Sequence, residues 1–137
     1  MTDHALSRRL ITYAAITGAL GVLLGAIGAH GLDRMLIELG HEAEVIEDRV
    51  DQFNTGVRYQ LVHAVALLSL AAMPFGTPAS RRWVGRMFLL GIILFSGSLY
   101  VLVISNVTKL GMITPLGGLS WIAGWFLLLA VARPTSS

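Results

Sequence analysis

The polar chemistry available inside the long apolar stretches of this 137-residue chain belongs to His30, to Tyr59, Gln60 and His63, to Ser96, Ser98 and Tyr100, and to Thr114. On a helix His63 lies one turn from Tyr59 and three residues from Gln60, so all three share one broad face. Ser96, Ser98 and Tyr100 set hydroxyls along another segment, with Gly97 leaving room for a close neighbour. The free amides of a helix starting at Thr114-Pro115 add partial positive charge that an anion or a carbonyl could use. Histidines among hydroxyls can exchange protons near neutral pH, so His30 and His63 make a candidate proton, ion or small-solute site. The same residue types also serve as glue, holding neighbouring membrane helices together at about 0.6–2 kcal/mol per hydrogen bond. Both readings stand at this point. A metal site is not expected, because two histidines on different segments with no carboxylate beside them make a poor ligand set.

Chemistry of either kind needs elements to position it. Only 13% of the residues are charged, against about 25% in an ordinary soluble domain, while 55% are hydrophobic and the mean hydropathy is +0.72. The segments Leu10 to Leu32, Tyr59 to Ser80, Met87 to Thr108 and Leu110 to Ala132 hold no formal charge. Each is long enough to cross a hydrocarbon core, which takes about 20 apolar helical residues. The sequence therefore predicts an all-α integral membrane protein, a single membrane domain with four transmembrane helices in a bundle over about 10–30, 57–73, 84–104 and 115–132. Arg8-Arg9 before the first stretch also fits a secretory signal, but the apolar run is too long for one and it reads as a retained helix.

Counting Lys and Arg gives the orientation. Arg8, Arg9, Arg81, Arg82, Arg86 and Arg133 fall on one side, and Arg34, Arg49, Arg58 and Lys109 on the other. The larger set belongs in the cytoplasm, so both termini of this multi-pass protein are expected there. The outer ends of the spans then bring the polar residues together. Between the first two spans, Leu32, Leu36, Leu39, Ala43, Ile46, Val50 and Phe53 recur at alternating steps of four and three, predicting an amphipathic extracytoplasmic helix over 32–53 that Gly40 is able to divide. The Glu38, His41, Glu42 and Glu44 run can neighbour itself along such a helix and reads as a solvated face.

Gly21, Gly25 and Ala29 form a small-residue ridge of the kind that lets membrane helices approach closely, and Ser120 and Gly124 offer a second. Gly97, Gly117 and Gly118 are further positions for close helix packing. Known catalytic templates are missing: no nucleophilic serine motif, no phosphate loop after a strand and no carboxylate pair within a span. There is no cysteine either, which removes thiol chemistry and disulfides. No enzyme, no cofactor and no nucleic-acid partner are expected; membrane lipid, a further copy of the chain and an unidentified small molecule are the candidate partners.

Gly28-Ala29-His30-Gly31, Tyr59-Gln60-Leu61-Val62-His63-Ala64, Leu94-Phe95-Ser96-Gly97-Ser98-Leu99-Tyr100, Leu110-Gly111-Met112-Ile113-Thr114-Pro115-Leu116-Gly117-Gly118 and Gly124-Trp125 together resemble the YgdD and YwdK family of small membrane proteins, domain-of-unknown-function family 423. The resemblance covers nearly the whole chain and departs between Asp33 and Asp51, where the acidic segment is longer than the family pattern. It implies a multi-span protein of the inner membrane and supplies no activity. Its motif positions coincide with the polar cluster. The expected role is a structural or interaction component forming a small homo-oligomer, with solute, ion or proton binding as one alternative and lipid binding as another.

Overall fold

A computed structural model describes residues 3–133, and all of the regular structure among them is helical. Helix α1 runs Asp3–His30, α2 Leu32–Glu38, α3 Ala43–Ala72, α4 Pro78–Gly91, α5 Ser98–Ser105 and α6 Thr114–Val131. A single widened π turn, Ile92–Gly97, joins α4 to α5 without a break, and a 3-10 turn, Thr108–Met112, leads into α6. Three helical stretches are long and apolar enough to cross a membrane: Asp3–His30, Pro78–Ser105 and Thr108–Val131. Helix α3 is as long at 30 residues, but its first half carries charge from Glu44 through Arg58.

The boundaries follow from local chemistry. Gly40 takes φ +82°, and the His41 amide donates to Leu36 O while the Gly40 amide donates to Ile37 O, the paired bonds that close a helix through a left-handed glycine. The segment 32–53 is therefore not one amphipathic helix: α2 stops at Glu38, and Ala43 to Phe53 are the first turns of α3, which continues through the expected second span without interruption. Glu38 and His41 consequently do not share a helix with Glu42 and Glu44. Pro74 holds Met73 in an extended conformation and ends α3. Thr77 Oγ1 accepts from the Ser80 amide at 3.1 Å with Pro78 in the first turn, so α4 begins at Pro78, a turn and a half before the expected third span. Asn106 closes α5 in the left-handed region at φ 55°, which asparagine tolerates better than most residues.

The long helices run alternately up and down. Against α3, Gly18 of α1 faces Ala64, Gly21 faces Leu61, Gly25 faces Val57 and Gly28 faces Asn54, an antiparallel pairing along most of α1. Gly56 of α3 lies against Tyr100 of α5, and Gly91, Phe88 and Phe95 of the α4–α5 stretch meet Trp121, Gly124 and Gly117 of α6. One apolar core gathers Leu6, Leu10, Leu67, Leu70, Val84 and Phe88 toward the end that carries the N-terminus. A second gathers Leu32, Leu36, Phe53, Val57, Leu102 and Val103 toward the end that carries α2. The outward faces are also apolar: Val22, Ile93 and Phe126 are 65%, 65% and 67% exposed, a pattern that a membrane satisfies and water does not.

Candidate functional site

Between the two apolar cores lies a layer of buried polar groups, most of which reach a neighbouring helix. Gln60 Nε2 donates to Thr17 O of α1 at 2.8 Å, and Gln60 Oε1 accepts from the Tyr100 hydroxyl of α5 at 2.9 Å. Ser96 Oγ, fully buried in the π turn, donates to Gly56 O of α3 at 2.7 Å. Gly56 is needed there, since a Cβ would stand 2.9 Å from the Tyr100 ring.

His63 faces α6. Its Nδ1 lies 2.8 Å from Tyr59 O, an acceptor, so Nδ1 carries the proton. Nε2 then accepts from Trp125 Nε1 at 3.3 Å, because an indole nitrogen can only donate. The imidazole stacks on Trp121 with centroids 4.0 Å apart and planes within 5°, and meets the edge of Phe88 at 5.4 Å. Trp121 Nε1 in turn donates to Phe88 O at 3.0 Å. Trp121 fits only because residue 91 is glycine: a Cβ at Gly91 would overlap the indole. Ser120 Oγ donates to Met87 O at 2.9 Å, and Gly117 touches the Phe95 backbone.

The expected site residues thus fall into separate groups. Gln60, Tyr100 and Ser96 form one. Tyr59 and His63 form a second with the tryptophans, Tyr59 stacking on Trp121 at 5.5 Å. Ser98 and Thr114 form a third: their hydroxyls are 2.9 Å apart, and since Ser98 donates to Phe95 O, Thr114 donates to Ser98. Thr114 is therefore the first residue of α6 and an interhelical contact; Ile113 occupies the cap position. His30 stands apart, exposed at the end of α1. Gly28 of α1 is level with Asn54 and His30 lies two residues further on, so the two histidines are separated by roughly 16 Å along the bundle. Neighbouring positions on a helix diverge by about 100°, which is how Gln60 reaches α1 and α5 while His63, offset on the same helix, reaches α6.

Among the packing positions, Gly21 and Gly25 meet α3, and Gly117 and Gly124 meet the α4–α5 stretch. Ala29 is exposed, and Gly28 makes the contact at that level. Around Gly97 the nearest atom is Ile92 O of its own turn at 3.9 Å, and Gly118 is only in ordinary contact with Phe95. Among the described residues no group of three or more His, Asp or Glu side chains could hold a metal ion.

Two buried arginines are more deeply engaged than the charge count suggested. Arg81 is 1% exposed. Its Nη1 donates to Asp3 Oδ1 at 2.6 Å, and its Nη2 to Ser7 Oγ at 2.9 Å and to Leu70 O and Ala71 O at 3.2 and 3.1 Å. It therefore binds two of the last carbonyls of α3, of which Leu70 O also accepts from the Met73 amide at 3.4 Å, and ties α1, α3 and α4 together at one end. At the opposite end Arg49 donates to Asn106 Oδ1 through Nε and Nη2 at 3.1 and 2.7 Å, fixing the α5 terminus to α3. Asp3 as the lone acid on its side of the protein was the available sequence signal for the first of these. Nothing in the sequence signalled the second.

An all-helical protein with apolar outer faces and a hydrogen-bonded polar interior defines a small integral membrane protein. The chain belongs to the family described as protein of unknown function DUF423, whose model matches residues 24–118. It is 39% identical over 129 residues to the UPF0382 inner membrane protein YgdD of Escherichia coli strain K12, covering 92% of this chain and 90% of that protein. It is 35% identical over 127 residues to the UPF0382 membrane protein YwdK of Bacillus subtilis strain 168, covering 89% and 94%. No solved structure matches the chain. Neither the family description nor these names carries an activity.

Proposed function

We propose that the chain crosses the inner membrane four times with both termini in the cytoplasm, and that it acts as a structural or interaction component, self-associating into a small homo-oligomer. The observation that carries the structural role is the use made of the interior polar groups. Gln60, His63, Ser96, Ser98, Tyr100, Thr114 and Ser120 all have hydrogen-bond partners, and most of those bonds join one helix to another. The separation of His30 from His63 also speaks against direct proton exchange between them. The fourth crossing draws its support from the antiparallel pairing of α1 with α3: if the charge-free part of α1 lies in hydrocarbon, Asn54 to Ala64 lie at the same depth. Arg58 then snorkels toward the outer headgroups. Because α3 already occupies Gly21 and Gly25, self-association has to use a different surface.

The chain contains no cysteine, so single cysteines report topology cleanly. Cysteine at Ala79 is expected to label only from the cytoplasm, and cysteine at Glu44 only from outside; labelling of both from one side removes the four-crossing arrangement. For the role, His63→Gln is expected to lower stability without altering proton or ion flux across liposomes containing the purified protein. A pH-gradient-driven flux that His63→Gln abolishes would establish the transport reading instead.

A further inference from the structure

We propose that the cleft between the first turns of α1 and α4 binds the phosphodiester headgroup of an anionic phospholipid. The cleft has a volume of about 170 Å³ and combines three arginines, Arg9, Arg82 and Arg86, with an apolar floor that includes Leu6 and Leu10. That volume is well above the roughly 10–15 Å³ a single water needs, and below the roughly 300 Å³ at which drug-sized ligand pockets begin. It suits a headgroup.

Charge complementarity identifies the occupant. Among the described residues the only acid at this end of the protein is Asp3, and its carboxylate is engaged by Arg81. Every other acid belongs to the segment 33–51 at the opposite end. Arg9, Arg82 and Arg86 therefore have no carboxylate counter-ion within reach among the described residues. The Arg82 Nε has no hydrogen-bond partner among those residues, so the donors of this guanidinium are not all claimed within the chain. Arg86 lies over the Trp83 ring at 5.0 Å, an aromatic held at the level where tryptophans meet headgroups. Guanidinium groups match phosphate oxygens in fork geometry, and basic pockets between helices on the cytoplasmic side are suited to anionic headgroups. Tyr13, one turn beyond Arg9, continues the cleft toward the hydrocarbon, where acyl chains extend past Leu89 and along the exposed face of Leu90. The assignment to the inner leaflet rests on the orientation proposed above, whereas headgroup selectivity does not. Cysteine labelling tests the former independently.

The test is native mass spectrometry of the full chain in detergent with phosphatidylglycerol or phosphatidylcholine of the same acyl composition. Phosphatidylglycerol is expected to be retained at least roughly tenfold better, falling to about twofold or less in Arg9→Gln/Arg82→Gln/Arg86→Gln. The control Arg34→Gln/Arg58→Gln/Lys109→Gln, at the opposite end, is expected to keep the full preference. If the triple variant does not fold, Arg86→Gln alone, at an exposed position, is expected to lose several-fold of it. Inorganic phosphate in large excess is expected not to displace the lipid. Equal retention of the two lipids by the wild type, an equal loss in the control, an unchanged preference in Arg86→Gln, or displacement by inorganic phosphate overturns the proposal.

Discussion

Replacing Arg81 by methionine separates the two contributions this side chain makes. Methionine keeps most of the buried aliphatic volume and removes every donor. The carbonyls of Leu70 and Ala71 then lose charge-assisted bonds inside a buried helix end, each worth about 1.5 kcal/mol or more. Ser7 loses a further partner. Asp3 is different: its side chain is 55% exposed, so water replaces the guanidinium and the ion pair contributes less than about 1 kcal/mol. Arg81→Met is therefore expected to cost about 3–4 kcal/mol, while Asp3→Asn costs under about 1 kcal/mol. Arg81→Lys should fall between them, since an ammonium cannot span the carbonyls, Ser7 and Asp3 as the planar fork does. The assay is reversible unfolding in mixed micelles with increasing SDS, followed by tryptophan fluorescence. An Asp3→Asn penalty as large as that of Arg81→Met, or an Arg81→Met penalty below about 1 kcal/mol, would refute the assignment of this side chain to the α3 terminus.

Gly91→Val places methyl carbons inside the Trp121 indole, and should cost at least about 3 kcal/mol or prevent folding. Gly118→Ala, whose Cβ finds the Phe95 ring at 4.0 Å, should be neutral to stabilising by less than about 1 kcal/mol in the same assay. Tyr100→Phe removes only the hydroxyl that binds Gln60 and is expected to cost about 1 kcal/mol. His63→Gln and Trp125→Phe, combined in a double-mutant cycle, should show a coupling near 0.6 kcal/mol, as about that value is usual for membrane hydrogen bonds; strict additivity would remove the contact. His30→Gln, at an exposed position, should change stability by less than about 0.5 kcal/mol.

Helical content and the placement of α6 were legible in the sequence, since Thr114-Pro115 punctuates an otherwise continuous apolar run. The bounds of α3 were not. Its charges in the 44–58 region marked the end of a span, while the backbone has no reason to stop there: from Ala43 to Ala72 nothing interrupts the hydrogen-bond ladder until Pro74. A charge pattern reports solvent and a helix pattern reports backbone, and here the two boundaries lie some fourteen residues apart. The polar cluster was half legible for a related reason. Period and spacing put Tyr59, Gln60 and His63 on one broad face, but three helices surround α3, and that face is divided among them. Which partner each side chain took depended on Gly56 and Gly91, small residues whose role exists only once Tyr100 and Trp121 stand opposite.

Those two glycines bear on what the polar layer can do. Each admits an aromatic ring so closely that the adjoining backbone comes within range of a side-chain donor. Gly56 receives Tyr100 on one side while its carbonyl accepts from Ser96. Gly91 receives Trp121, whose indole then reaches Phe88 O. Close packing and hydrogen bonding thus occur together at both glycines, and donors that look like site chemistry in the sequence bond one helix to another. A solute passing His63 would have to part it from both Trp121, stacked at 4.0 Å, and Trp125, bonded at 3.3 Å. The cleft beside Arg82 already has open space of about 170 Å³, and it lies where the proposed orientation would put anionic headgroups. Ligand chemistry is therefore better sought at the membrane boundary than in the polar layer.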